Sequence, residues 1–115
     1  MQECQVSWIA KSQRVRFLNS TLSVAATGSD YFSFCHSLHA PTADLNLIIV
    51  ELAVNDEFLP EHTENMENLL RGLLELPRRP AVIMAQALSL SAGSIATGGD
   101  VHTPVAVYYD VPVIT

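Results

Sequence analysis

The sequence predicts an α/β fold with three layers, in which a mostly parallel β-sheet lies between two layers of helices. Candidate strands alternate with candidate helices along the 115 residues, and short links join them, which is typical of βαβ units. Two of the candidate strands are almost continuously apolar, as expected for strands covered on both faces. The last candidate strand has no helix after it, so we expect this chain to carry an incomplete sheet.

The composition is that of one globular domain with a modest core. Hydrophobic residues make up 49% of the chain and charged residues 16%, which favours collapse over disorder. The net charge is -6 and only six residues are Lys or Arg, which argues against a nucleic-acid partner. No window approaches the roughly 18 apolar residues of a membrane span. No pattern indicates a cofactor.

The N-terminal part is the least defined. Residues 1–18 form a segment of uncertain structure, in which Arg14–Leu18 fits either a weak edge strand or the last turn of a helix. A helix is expected to begin at Ser29 or Asp30, because both residue types are good helix caps. Its buried face should carry four residues at helical spacing: Tyr31, Phe34, Cys35 and Leu38.

The middle of the chain carries the clearest pattern. Leu45–Leu52 is apolar and β-branched, which predicts a buried strand of a parallel sheet. Pro60 is expected to open the next helix and Pro77 to follow its end. The apolar stripe of this helix comprises Met66, Leu69, Leu70, Leu73, Leu74 and Leu76.

The C-terminal part continues the alternation. Pro80–Leu88 is expected to form a second buried strand, and Ser89–Gly99 a loop rich in Ser, Ala and Gly. A short helix is predicted over Thr103–Tyr109, with Pro104 at its first position. Val111–Ile114 then begins a further strand.

The residues directly after the first buried strand are the most informative, because ligands of parallel sheets bind beyond the carboxyl ends of the strands. There the chain reads Ala53-Val54-Asn55-Asp56. A buried strand running into this segment resembles the third conserved block of SGNH/GDSL-type hydrolases, with Ala53 where that family usually has glycine. Further segments that resemble the family lie in the same order, and the likeness covers residues 19–115: Ala26–Cys35, Arg79–Ile83, Gly99–His102 and Tyr108–Ile114.

The resemblance implies a partial SGNH-hydrolase domain over 19–115, with a flavodoxin-like fold and activity on ester bonds in the full-length family. In that family a serine attacks the ester, a histidine is the base, and an asparagine side chain helps to hold the oxyanion. Asn55 matches this asparagine and is the catalytic residue that the resemblance assigns to this chain. Asp56 is expected to orient the loop or to cap the next element. The implied substrate is an ester or an acylated glycan.

The departures from the family pattern bear on activity. No Gly-Asp-Ser occurs in the chain, and Ser29 is expected to cap a helix rather than act as a nucleophile. His102 stands one residue too close to Asp100 for the Asp-x-x-His block, which favours a loop or cap. We therefore expect this chain alone to be inactive. The alternative is a non-catalytic α/β module that binds a partner or a polysaccharide-like ligand through the same loop face.

The other histidines indicate no metal site. His36 and His39 could share a helix face, but a third ligand at suitable spacing is missing from the sequence pattern. His62 lies in the first turn of an amphipathic helix and is expected to be solvated. A phosphate-binding flavodoxin-like domain is disfavoured, because Gly98-Gly99 is too short for a phosphate-cradling loop.

Overall fold

The structure is a computed structural model that describes residues 7–9, 17–19, 28–39, 45–87 and 96–115. Strands and helices alternate through most of these ranges, as the sequence predicts. In chain order they are β1 (Ser7–Ile9), β2 (Phe17–Asn19), α1 (Ser29–His39), β3 (Leu47–Val50), α2 (Pro60–Leu74), β4 (Ala81–Ala85), α3 (Gly98–Tyr108) and β5 (Val113–Ile114).

The main sheet is parallel, and its strands lie in the order β3-β4-β5. Ile49 is opposite Ile83 in the β3/β4 pair, and Met84 is opposite Val113 in the β4/β5 pair. The α/β class and the parallel sheet are therefore confirmed. The strands β1 and β2 pair antiparallel in a sheet of their own, so the end of the Arg14–Leu18 segment forms a strand rather than a helical turn.

The core lies between one face of this sheet and the helices. Helix α2 is central and contacts α1 on one side and α3 on the other. Its apolar stripe is buried as predicted, because hydrophobic residues three and four apart lie on one side of a helix. Pro60 occupies the start of α2, also as predicted. The buried hydrophobic cluster comprises Val50, Leu52, Met66, Leu69, Leu70, Leu73, Leu76, Val82, Met84, Val105, Ala106 and Val111.

The opposite face of the sheet is open in the described residues. Alternate side chains of a strand point to opposite faces, and here Ile49 is 64% exposed and Ile114 is 58% exposed, whereas Val50 is buried. The apolar sequence of β3 predicted burial on both faces. The described helices cover only one of them. No helix within the described ranges is long and apolar enough to cross a membrane.

Helix α1 is rotated relative to the predicted buried face. Phe34 was expected in the core but is 83% exposed. The inward-facing positions are Ser29, Phe32 and His36, where Phe32 packs against the core and the imidazole of His36 lies beside Gly72 of α2. The prediction was wrong for Phe34, whereas Tyr31 and Cys35 are partly buried and the side chain of Leu38 lies outside the described residues. Ser29 is fully buried on the inward side, and its backbone N–H donates to Asp56.

Helix α3 begins five residues earlier than predicted. The carboxylate of Asp100 accepts a hydrogen bond from the backbone N–H of Thr97 at 2.7 Å, which stabilises a start at Gly98. Pro104 therefore lies inside the helix rather than at its first position. The hydroxyl of Thr103 donates to the carbonyl of Gly99 at 2.8 Å within the same helix. Because of this earlier start, His102 is a helical residue and not part of a loop.

We expect Leu70→Ala to lower the free energy of unfolding by about 3 kcal/mol, because the substitution removes a fully buried side chain and leaves a cavity. The matched control is Leu47→Ala on the open face of the sheet, where the side chain is 49% exposed. Urea unfolding monitored by circular dichroism measures both changes. Equal losses for the two variants would contradict the described core.

Candidate functional site

The candidate site lies where the chain leaves the carboxyl ends of β3 and β4. After β3 the chain turns sharply, and the backbone N–H groups of Asn55 and Asp56 both donate to the carbonyl of Leu52 at 3.1 Å. Gln86 follows β4 directly. Loops at this end of a parallel sheet converge with the N-termini of helices. The turn after β3 is thereby brought beside the first residues of α1 and α3.

Asp56 is the centre of this arrangement. The residue is only 5% exposed. Its carboxylate accepts the backbone N–H of Ser29 at 3.0 Å and 3.2 Å through its two oxygens. It also accepts a hydrogen bond from Nε2 of His102 at 2.6 Å. The sequence predicts that Asp56 orients the loop or caps a neighbouring element, and here its carboxylate sits at the N-terminus of α1, where negative charge is stabilising.

The carboxylate of Asp56 is held in its ionised form. Burial alone would raise the pKa of Asp56, but the hydrogen bonds from His102 and Ser29 outweigh it and hold the pKa below its ordinary value. An ionised carboxylate only accepts hydrogen bonds, so Nε2 of His102 carries the proton in this contact. His102 is itself almost fully buried. The stretch Asp100–His102 was expected to form a loop or cap: Asp100 does cap α3, but His102 is a buried helical residue and not part of a loop.

Ser29, His62 and Asp56 lie together without forming a catalytic triad. The hydroxyl of Ser29 is 3.5 Å from Nδ1 of His62, and the same nitrogen is 3.6 Å from Oδ1 of Asp56. A triad needs the serine and the carboxylate on different ring nitrogens. Ser29 also has 0% exposure, so its hydroxyl does not face a substrate. The expectation that His62 is solvated was wrong, because its side chain is only 14% exposed.

Two glycines allow this close packing. A Cβ atom at Gly28 would overlap Oδ1 of Asp56, and one at Gly98 would stand 2.6 Å from Cβ of Asp56 and 2.8 Å from its carbonyl oxygen. The N–H of Gly98 donates to that carbonyl at 3.1 Å. Asp56 is thus bonded to the N-termini of both α1 and α3. These glycines are needed for close approach rather than for an unusual backbone angle.

Gln86 makes the corresponding connection from β4. Its side-chain amide donates to the carbonyl of Gly99 at 3.1 Å and to the hydroxyl of Thr103 at 2.9 Å. Both partners belong to the first turns of α3. The start of α3 is therefore bonded to the segments that follow both β3 and β4.

Asn55 lies on the exposed side of this turn, next to the buried Asp56. Ala53, which stands at the position of the family's glycine, is 2% exposed. Asn55 is thus an exposed residue of this turn, while Ala53 and Asp56 are buried.

The described residues hold no group of three His, Cys, Asp or Glu side chains placed to bind a metal ion. Nδ1 of His36 lies 3.3 Å from the carbonyl of Ser33 in the preceding turn of α1. The side chain of His39, its suggested companion, lies outside the described residues.

The pairing of His102 with Asp56 is the feature that sequence reasoning missed. The two residues are 46 positions apart, and neither belongs to a motif that predicts the contact. A signal was present in the helical spacing of Gly98, His102, Val105 and Ala106, all of which are buried on one side of α3. A prediction that started α3 at Gly98 instead of Thr103 would have placed His102 on the buried side of the helix.

No protein-family model and no curated protein matches this chain. Among solved structures, the chain is similar to a two-domain esterase active on acetylated mannans, both alone and co-crystallised with mannopentaose. The TM-score is 0.69 for both, the identity is 23% and 22%, and the matches cover 76% of this chain. The chain spans only 23% of the length of that esterase. The likeness shows that the α/β fold described above is shared with part of an ester hydrolase.

The pH dependence of stability tests the state of Asp56. The pKa of Asp56 is lowered below 3.8 in the folded protein. Ionised Asp56 therefore stabilises the fold fully at pH values above the pKa that Asp56 has in the unfolded chain. This stabilisation is lost as the pH falls through the pKa of Asp56 in the folded protein. We expect Asp56→Asn to remove the contribution of Asp56 to the pH dependence of the free energy of unfolding. The substitution should also lower the free energy of unfolding at neutral pH by about 3 kcal/mol.

Urea unfolding between about pH 3 and pH 7 measures the effect. Asp110→Asn is the control, because Asp110 is exposed and its positive φ of 54° is tolerated by asparagine. If Asp56→Asn retained the acid slope of the parent chain, the assignment of an ionised Asp56 would be wrong.

Gly98→Ala tests the close approach of α3 to the turn. The new Cβ would meet the backbone of Asp56 and Ala53, which cannot move without displacing the turn, so we expect a loss of about 2 kcal/mol. Gly72→Ala is the control, because the three atoms nearest to its new Cβ all belong to the imidazole of His36, a side chain that can shift more readily than backbone. Thermal unfolding of both variants measures the difference. A neutral Gly98→Ala would show that the turn and α3 are not in direct contact.

Proposed function

We propose that residues 19–115 form part of an SGNH-type ester hydrolase domain, in which the turn after β3 supplies the oxyanion-binding side chain of Asn55. In this proposal the amide N–H of Asn55 donates to the negatively charged oxygen that develops on the ester carbonyl. The single observation that supports it is the position of Asn55, exposed at the carboxyl end of β3 on a turn that buried Asp56 holds in place.

The rigidity of the turn favours this role. Oxyanion stabilisation depends on donors that are oriented before the reaction, and one such donor is worth about 3 kcal/mol of transition-state stabilisation. The carboxylate of Asp56 is bonded to Ser29 and His102, and its carbonyl to Gly98. Asn55 is the neighbour of this fixed residue in the chain. The backbone that carries its amide is therefore well restrained.

The proposal assigns neither the nucleophile nor the base to the described residues. Ser29 is fully buried and bonded into the site through its backbone. His102 is engaged with Asp56, and its Nε2 proton is directed at the carboxylate. In the proposed enzyme the Gly-Asp-Ser serine and the Asp-x-x-His histidine come from polypeptide other than these residues, and the 115 residues alone are inactive.

We propose an acylated glycan as the substrate class. The support is the likeness of fold to an esterase active on acetylated mannans. The net charge of -6 is compatible with a neutral sugar ester and does not favour a polyanionic substrate. A non-catalytic binding module is the competing interpretation, and the two differ in whether ester hydrolysis depends on Asn55.

The test begins with the complete transcript that carries this reading frame and the polypeptide it encodes. We expect a Gly-Asp-Ser segment upstream of residue 1, an Asp-x-x-His segment after residue 115, and release of acetate from acetylated mannan. Asn55→Ala should lower kcat by about 10²- to 10³-fold with little change in KM, because the oxyanion forms only in the transition state.

Asn68→Ala is the control, because Asn68 is exposed on α2 and away from the turn. The 115-residue chain assayed alone should show no turnover above background. A complete transcript without both catalytic segments would contradict the proposed hydrolase. Full activity of Asn55→Ala in an active enzyme would contradict only the assignment of Asn55.

A further inference from the structure

A shallow groove lies between α2 and α3. Its volume is about 210 Å³, and we call it the α2/α3 groove. Its lining residues on α3 begin at Pro104, about 9 Å along the helix from Gly98 at 1.5 Å per residue, and extend to the end of the helix. None of its lining residues belongs to the turn that carries Asn55. Its lining residues are Thr63, Glu67, Pro104, Val105, Tyr108 and Tyr109.

One wall of the groove is an exposed aromatic ring. Tyr108 is 79% exposed although it belongs to a well-formed helix. Its ring meets the ring of Tyr109 edge to face, with centroids 5.0 Å apart and planes at 79°. Tyr109 packs against the hydrophobic core. Contact with Tyr109 therefore restrains the ring of Tyr108. The exposed part of the Tyr108 ring is an apolar surface available to a ligand.

The other wall carries an ordered polar network. Oε1 of Glu67 accepts hydrogen bonds from Nη2 of Arg71 at 2.6 Å and from the hydroxyl of Tyr109 at 3.0 Å. Arg71 also donates to the Tyr109 hydroxyl at 3.3 Å. These bonds use two of the roughly four acceptor positions of a carboxylate. The carboxylate of Glu67 can therefore accept further hydrogen bonds from a bound hydroxyl group while Arg71 and Tyr109 hold it in place.

These two walls fit the two sides of a sugar ring. A pyranose has an apolar face of C–H bonds, which stacks on an aromatic ring, and a rim of hydroxyl groups, which donate to carboxylates. An anionic ligand fits poorly, because Arg71 is already paired with Glu67 and the chain has a net charge of -6. A groove of about 210 Å³ is also smaller than the pockets that bind drug-sized ligands, which favours one small ring.

We propose that the α2/α3 groove binds one neutral pyranose unit of a glycan chain, stacked on Tyr108 and hydrogen-bonded to Glu67. Binding here needs no ester group and no catalytic residue. The groove holds a glycan chain at a second place on the helix layer. This binding site is additional to the proposed oxyanion turn, and neither proposal depends on the other.

The test is a titration of the 115-residue chain with mannopentaose, followed by ¹H–¹⁵N correlation NMR. We expect saturable shifts at the amides of Glu67 and Tyr108, with a Kd on the order of 1 mM, because the contact area is small. Tyr108→Ala should weaken binding about tenfold or more. Phe34→Ala is the matched control, since Phe34 is equally exposed but lies on α1, and this variant should bind like the parent chain.

Both substituted rings are exposed, and thermal unfolding of the variants confirms that they are folded before titration. Absence of saturable shifts, equal weakening in the two variants, or shifts confined to residues 53–56 would overturn the proposal. Because mannopentaose carries no ester, a negative result leaves the role of Asn55 untouched, and failure of the hydrolase proposal leaves glycan binding at the groove unaffected.

Discussion

The buried carboxylate of Asp56 is the interaction on which the geometry of the site depends. A buried charge is tolerated only where hydrogen bonds replace the water that it has lost. Here the replacements come from the backbone of α1 through Ser29 and from the side chain of His102 in α3. Because the hydrogen bonds to this carboxylate come from α1 and α3, three segments that are far apart in the chain meet at Asp56.

The same requirement explains the glycines beside it. Gly28 and Gly98 leave room for Asp56 to approach the N-termini of α1 and α3, and a Cβ at either position would collide with it. Gln86 adds a neutral hydrogen-bonded connection from β4 to the first turns of α3. The result is a closely packed sheet end on which Asn55 is carried by a restrained turn. A donor that is oriented in advance is what oxyanion binding requires.

The two faces of the sheet have different environments. The face that carries Val50, Val82 and Met84 packs against the helices, whereas the face that carries Ile49 and Ile114 is exposed. Parallel sheets are normally covered on both faces.

Two distinct regions of the molecule have proposed roles, namely the turn beside the starts of α1 and α3 and the groove between α2 and α3. The proposed roles of these regions use different chemistry, a hydrogen bond to a developing charge and stacking on a sugar ring.

Local sequence patterns were enough to predict the α/β class, the strands near residues 47–50 and 81–85, and helix α2 with its proline start and apolar stripe. These features follow from hydrophobic periodicity and from proline geometry, which act over a few residues. A motif also singled out Asn55. The outward orientation of Phe34 and the burial of His102 against Asp56 emerged only from the folded arrangement of the chain. The burial of His102 involves a hydrogen bond to a residue 46 positions away, and the start of α1 is bonded to a residue 27 positions away; helical spacing and short motifs do not encode contacts over such distances in the chain.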